Sequence, residues 1–174
     1  MLKKFLAAVA VAVAIAGCAG TVQREAPAAG APATSAKVAK YKSIAVALTD
    51  AAQKKHADNI QFNKDELSGM LKRKLEARSA IVADAQHEVQ VTVTDFRVRS
   101  AFSAIMFGFM AGTDSIDGTV DVKDPAGKVV NSFKVSASYG LGGLGGGQDS
   151  ARMNWLYEKF ADLAIAEMME APKN

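Results

Sequence analysis

A chain of 174 residues, with 49% hydrophobic and 22% charged side chains, is long enough for one domain with a modest core. Cys18 is the only cysteine, which excludes an internal disulfide. The formal charge of +3 owes two positive groups to Lys3 and Lys4; the remainder carries 19 basic against 18 acidic residues, a balance that argues against broad electrostatic binding of nucleic acid or anionic lipid.

Those two lysines precede an almost unbroken apolar run from Leu6 to Ala16. Basic residues followed by a short apolar stretch are the first two regions of a secretory signal. The run is shorter than the roughly 20 residues that a permanent bilayer-spanning helix needs. It ends at Ile15-Ala16-Gly17-Cys18-Ala19. That string resembles the lipobox of bacterial lipoproteins, in which an aliphatic residue and two small residues precede a cysteine whose sulfur becomes a thioether to diacylglycerol. The resemblance implies that residues 1–17 are a signal peptide removed on export. It also implies that Cys18 is the lipid attachment site, bearing several acyl chains, palmitate among them. One acyl chain binds a membrane marginally, whereas two or more hold it stably, at about 0.8 kcal/mol per buried methylene. Ala19 is not aspartate, and by the enterobacterial sorting pattern that implies the outer membrane, with the domain facing the periplasm.

From Ala19 to Lys40 the chain is rich in Ala, Pro, Gly, Thr and Ser, with no aliphatic periodicity. Such a stretch buries too little apolar surface to offset its ordering entropy. Residues 18–40 therefore read as the lipidated cysteine and a flexible tether, about 25 Å in r.m.s. span. A single domain follows over residues 41–170, with 171–174 as a tail.

Within the domain, Ile44, Val46 and Leu48 alternate as in a strand. Asn63-Lys64-Asp65-Glu66 has the form of a helix-capping box, and Leu67, Met70, Leu71 and Leu75 follow at helical spacing. His87 to Arg99 predicts a second strand. Its apolar parity shifts from Val89, Val91 and Val93 to Phe96 and Val98, which implies a bulge near Asp95. Ser115 to Lys123 alternates cleanly, Asp124-Pro125-Ala126-Gly127 supplies turn chemistry, and Val129 to Tyr139 alternates again, predicting a β-hairpin. After a glycine-rich connection, Asp149 or Ser150 opens a last helix running to about Glu170, with Met153, Leu156, Phe160, Ala164 and Met168 along one face. The sum is an α+β two-layer sandwich of order β-α-β-β-β-α. It has a mainly antiparallel four-stranded sheet and two helices on one face.

The run Val89 to Arg99 (VQVTVTDFRVR), the hairpin Gly118 to Phe133 around its Asp-Pro-Ala-Gly turn, and the closing helix resemble the lipoprotein family known as domain of unknown function number 4410. The resemblance extends over roughly residues 41–170. It implies an accessory or structural role in the envelope and brings no catalytic residues.

Candidate chemistry is sparse. The stretch Leu141 to Gly147 precedes a helix, but Gln148-Asp149-Ser150 replaces the Gly-Lys-Ser/Thr that a phosphate loop requires. His56 and His87 are the only histidines, and neither has a second ligand at metal-binding spacing. Asp117 and Asp121, with Asp95 nearby, fall on a wet strand face, where aspartate is routine, and Ser136 and Ser138 have no adjacent base. The unusual feature is Phe102, Ile105, Met106, Phe109 and Met110 at helical spacing, with Phe107 off that face. They fit a core-filling connection under the sheet, or an exposed patch for a partner, a second copy or the bilayer surface.

These residues predict a non-enzymatic lipoprotein that needs neither metal nor cofactor beyond the lipid on Cys18 and does not bind nucleic acid. It would contact the membrane through that lipid and an envelope protein or its own copies through the domain. The alternative is a carrier or sensor of an apolar ligand or lipid, using Phe102 to Met110 and the gap between helices and sheet.

Overall fold

A computed structural model of the chain describes residues 18–24, 37–59, 61–107, 110, 112–140 and 149–169. The expected signal peptide at 1–17, most of the expected tether, Phe109, the glycine stretch 141–148 and the expected tail lie outside the described residues. Five strands, β1 (Cys18–Gln23), β2 (Ser43–Leu48), β3 (Glu88–Arg97), β4 (Asp114–Lys123) and β5 (Val129–Tyr139), form one sheet in the order β1-β5-β4-β3-β2. Among the described residues four helices accompany it: α1 (Asp50–Asp58), α2 (Lys64–Ala77), α3 (Ala101–Phe107) and α4 (Asp149–Met168).

The alternation of the strands decides which face is covered. Ile116, Val120 and Val122 of β4 are buried beneath the helices, and Phe133, Val135 and Ala137 of β5 share that face. A slip of one residue would turn each set out to water, so the apolar pattern pins the register. Val89, Val91 and Val93 of β3 face the same way, and the register shifts between Val93 and Asp95 to bring Phe96 inward. At the hairpin turn the Asp124 carboxylate accepts from the N–H groups of Ala126 and Lys128, each at 2.9 Å, and Gly127 takes a φ of +78°, where a Cβ would be strained.

The expected order and sheet need correction in three places. β2 pairs with β3 in parallel, so the sheet is mixed. Alternation does not carry strand direction; the long connection through α1 and α2 serves as the crossover that parallel pairing requires. A fifth strand, β1, adds to the edge of β5. It gives little sequence signal because Val22 is its only large apolar residue. Among the described residues there are four helices where two were expected: α1 buries only Ala52 and so shows no apolar stripe, and α3 is a short turn of helix between β3 and β4.

α2 and α4 supply the second layer. Leu67, Leu71 and Leu75 of α2, and Leu156, Phe160 and Ile165 of α4, pack over the sheet, each contributing about 1.5–3 kcal/mol relative to exposure. Phe62 stacks on Phe96 with ring centroids 4.4 Å apart, filling the space under the bulge. Tyr41 donates its hydroxyl to the carbonyls of Val38 and Met168, joining the end of α4 to the approach to β2.

Asn63 caps α2 as its sequence implies, its side chain accepting from the N–H groups of Asp65 and Glu66. Its own N–H donates to the Tyr157 hydroxyl at 2.7 Å. Burial pushes Tyr157 up to about 12 and the Glu66 charge adds to that, while the Asn63 N–H acts in the opposite direction. The unfolded tyrosine ionises near pH 10 and the folded one does not. Its contribution to stability is therefore complete below pH 10 and is lost as pH rises toward 12. Tyr157→Phe should cost about 1 kcal/mol at pH 7 through the lost hydrogen bond. Urea melts across the alkaline range should then fall less steeply for the variant than for the native chain.

Candidate functional site

One end of the sheet gathers the features that carry chemistry. Cys18 of β1 pairs with Tyr139 of β5, Tyr139 with Asp114 of β4, and Ser115 beside it with Arg97 of β3. β1 and β4 therefore start where β3 and β5 end, and the connection carrying α3 leaves and returns at this end.

A buried ionic cluster closes the root of that connection. The Asp114 carboxylate accepts from the Arg99 backbone N–H at 2.7 Å, from Arg99 Nε at 3.2 Å and from Arg99 Nη2 at 3.0 Å. Arg99 also donates to the carbonyls of Gly112 at 2.7 Å and Tyr139 at 3.3 Å, bridging the connection to the end of β5. From α4, Arg152 brings Nη1 within 3.3 Å of Asp114 Oδ2 and donates through Nη2 to Asp149 and to the Arg99 carbonyl. The side chains of Arg99, Asp114 and Arg152 are all fully buried. Two guanidinium groups and one carboxylate would leave a buried positive charge; half-exposed Asp149 balances it.

The cluster escaped the sequence reading, though a signal was present. Asp114 has the parity of Ile116 and Val120, so it is a charge on the apolar phase of a strand, and Arg152 adjoins Met153 on the covered side of the last helix.

The apolar segment settles on the exposed alternative. Phe102, Ile105, Met106, Phe107 and Met110 are 67%, 54%, 63%, 56% and 79% exposed. The space beneath the sheet, where a core-filling connection would lie, is taken by α2 and α4. The Arg99–Asp114 bond meanwhile pinches the connection shut at its base. The helix–sheet gap proposed for a ligand is likewise packed with Leu71, Leu156 and Phe160.

Residues 18–24, expected to begin a tether, are instead docked. A Cβ at Gly20 would sit 2.5 Å from Leu163 Cδ1, so a larger residue there would make the Leu163 side chain of α4 shift. Arg24 binds the Glu167 carboxylate, donates to Asn131 Oδ1 at 2.8 Å and lies over the Phe133 ring at 5.4 Å. The chain from Cys18 thus enters the sheet directly.

The remaining candidates are scattered and engaged. Asp95 pairs with Lys55, and Asp121 accepts from the Ser132 hydroxyl at 2.6 Å. Asp117 and Ser136 line a shallow depression of about 250 Å³ on the open polar face of the sheet, with Thr21, Thr119 and Lys134. The Ser138 hydroxyl reaches the Ala19 carbonyl. His56 contacts the Phe62 carbonyl through Nε2 at 3.0 Å and packs edge-on to Phe62 and Phe96, whereas His87 uses its backbone carbonyl to accept from Lys42. Among the described residues, no three His, Cys, Asp or Glu side chains are grouped to hold a metal ion. Nor is any described helix long and apolar enough to cross a membrane.

A family model described as a domain of unknown function, DUF4410, matches residues 28–143. No curated protein matches the chain. Among solved structures the chain is similar to a single-substitution variant of the PelC dodecamer from Paraburkholderia phytofirmans, at 18% identity and a TM-score of 0.41, over 87% of this chain and 100% of that one. A second PelC dodecamer from the same organism gives 19% identity and a TM-score of 0.39, over 86% and 99% of the two chains. A minor lipoprotein from Acinetobacter baumannii gives 13% identity and 0.39, over 72% and 90%. Overlaps this loose carry neither a partner nor an activity across.

Removing one member of the buried cluster leaves the others uncompensated. Asp114→Ala should destabilise the protein by about 3–5 kcal/mol, while joint replacement of Arg99, Asp114 and Arg152 by Met, Leu and Met should cost far less. Thermal melts of both variants check the pair. A loss below about 1 kcal/mol for Asp114→Ala, the size of an exposed pair, would contradict the assignment.

Proposed function

We propose that this chain, which belongs to the family described as domain of unknown function DUF4410, is a lipid-anchored envelope lipoprotein whose folded domain binds a partner and catalyses no reaction. The observation that carries the reading is the position of Cys18. The cysteine that ends the Ile15-Ala16-Gly17-Cys18 string is also the first residue of β1. Cleavage before it would leave the new terminus at the start of a paired strand, and lipid on its sulfur would couple the bilayer to the sheet with no intervening spacer. Two or more acyl chains make such attachment effectively permanent.

The face left open by the helices supports binding in preference to catalysis. It presents Thr21, Thr119, Lys134 and Ser136 around a shallow depression, groups suited to hydrogen-bonding another protein surface. The carboxylates of Asp95 and Asp121 on this side of the sheet already have partners. Ala19 after the lipidated cysteine favours the outer membrane, and the domain would face the periplasm.

Cys18→Ala should accumulate as an unprocessed precursor that takes up no clickable fatty acid, while the native chain is labelled and fractionates with outer-membrane vesicles. Label retained on the variant would refute the anchor, and native protein recovered chiefly in inner-membrane vesicles would refute the sorting.

A further inference from the structure

We infer that the α3 end of the domain is a second membrane contact. In this contact Phe102, Ile105, Met106, Phe107 and Met110 enter the boundary between headgroups and acyl chains beside the lipid of Cys18. The inference rests on the lipid-anchored reading above and adds to it an orientation.

Three observations carry it. The first is register: Cys18 pairs with Tyr139 and Tyr139 with Asp114, so two strand spacings, about 10 Å, separate the anchor from the root of the α3 connection. β1 is held by Leu163 packed on Gly20 and by Arg24 on Glu167, so the anchor cannot swing away from this end. The second is chemistry. No charged residue occurs in 18–23 or in 100–113, the two segments that would meet the bilayer, although Arg97 flanks them at the end of β3; the opposite end of the sheet carries Lys42, Glu88, Lys123, Asp124 and Lys128. The third is exposure. Five large apolar side chains are each more than half exposed, four on a helix of seven residues and Met110 three positions past its end. That helix is too short to cross a bilayer but long enough to lie in its surface, buried by about 5–10 Å.

A bilayer held by a lipid about 10 Å from the root of the patch is the occupant that the anchor itself delivers. An uncharged contact of this kind needs no anionic headgroup, unlike a basic amphipathic helix. With two points of attachment the domain stands on the membrane with the Asp124–Gly127 turn pointing away.

The test uses the lipidated protein, extracted in detergent and reconstituted into phosphatidylcholine vesicles with or without brominated acyl chains. Trp155, the only tryptophan, is replaced by Phe, and an indole is introduced either by Ile105→Trp on α3 or by Lys128→Trp at the far end. Ile105 is 54% exposed, so its replacement leaves the core intact. The expected result is a blue shift and bromolipid quenching for Ile105→Trp alone, unchanged when phosphatidylglycerol is added. An indole on α3 that stays unquenched in protein that floats with the vesicles overturns the inference and spares the anchor. Blue-shifted emission in that case would point to a second copy or another protein covering the patch. Protein that fails to float overturns both.

Discussion

The Asp114 carboxylate, held between Arg99 and Arg152 out of reach of water, is the contact on which this end of the molecule depends. Its partners come from the exit of β3 and the first turns of α4, and Arg99 extends the link to the last carbonyl of β5. Apolar packing could hold α4 on the sheet at several small displacements. A carboxylate with directional bonds from one guanidinium group and an ion pair to a second accepts one. Burying these charges costs several kcal/mol per ion, so the cluster gives uniqueness more than net stability. Its position decides what is exposed: by tying Arg99 to Asp114 and Gly112, it excludes the intervening segment from the core and presents α3 outside.

How much of this could be read from sequence depends on whether the determining contact is local. The β4–β5 hairpin was legible because alternation and turn chemistry lie within the segment, from Ile116 through Asp124 and Gly127 to Tyr139. α2 was legible from its cap, Asn63, and its leucine stripe. The bulge near Asp95 showed as a change of apolar parity. β1 was hidden because what holds it, Leu163 against Gly20 and Glu167 on Arg24, is more than a hundred residues away. The parallel pairing of β2 was hidden because apolar periodicity is the same in either direction.

The site divides in the same way. Cys18 is a candidate through its neighbours in the chain, since an enzyme that modified it would read the extended precursor. The side chains of α3 were recognised as unusual, but hydrophobicity does not distinguish a core segment from a docking segment; that depended on whether the volume under the sheet was already filled. Asp114, Arg99 and Arg152 were missed because each is unremarkable singly, and only the register of β4 with β5 and the placement of α4 bring them together.

If Cys18 is the anchor that we propose, then, because it opens β1, attachment and orientation become one property of the sheet. The β4–β5 hairpin points from the end where Cys18 lies toward the Asp124–Gly127 turn, and ten residues of β4 span roughly 30 Å. The direct test is the height of that turn above the bilayer. It is measured by energy transfer from a donor dye on Ala126→Cys to an acceptor on lipid headgroups, in the lipidated protein on vesicles. An upright domain predicts a single height close to the hairpin length, roughly 30 Å. A turn lying at the headgroups, or a spread of heights as for a domain swinging on a tether, would contradict the account.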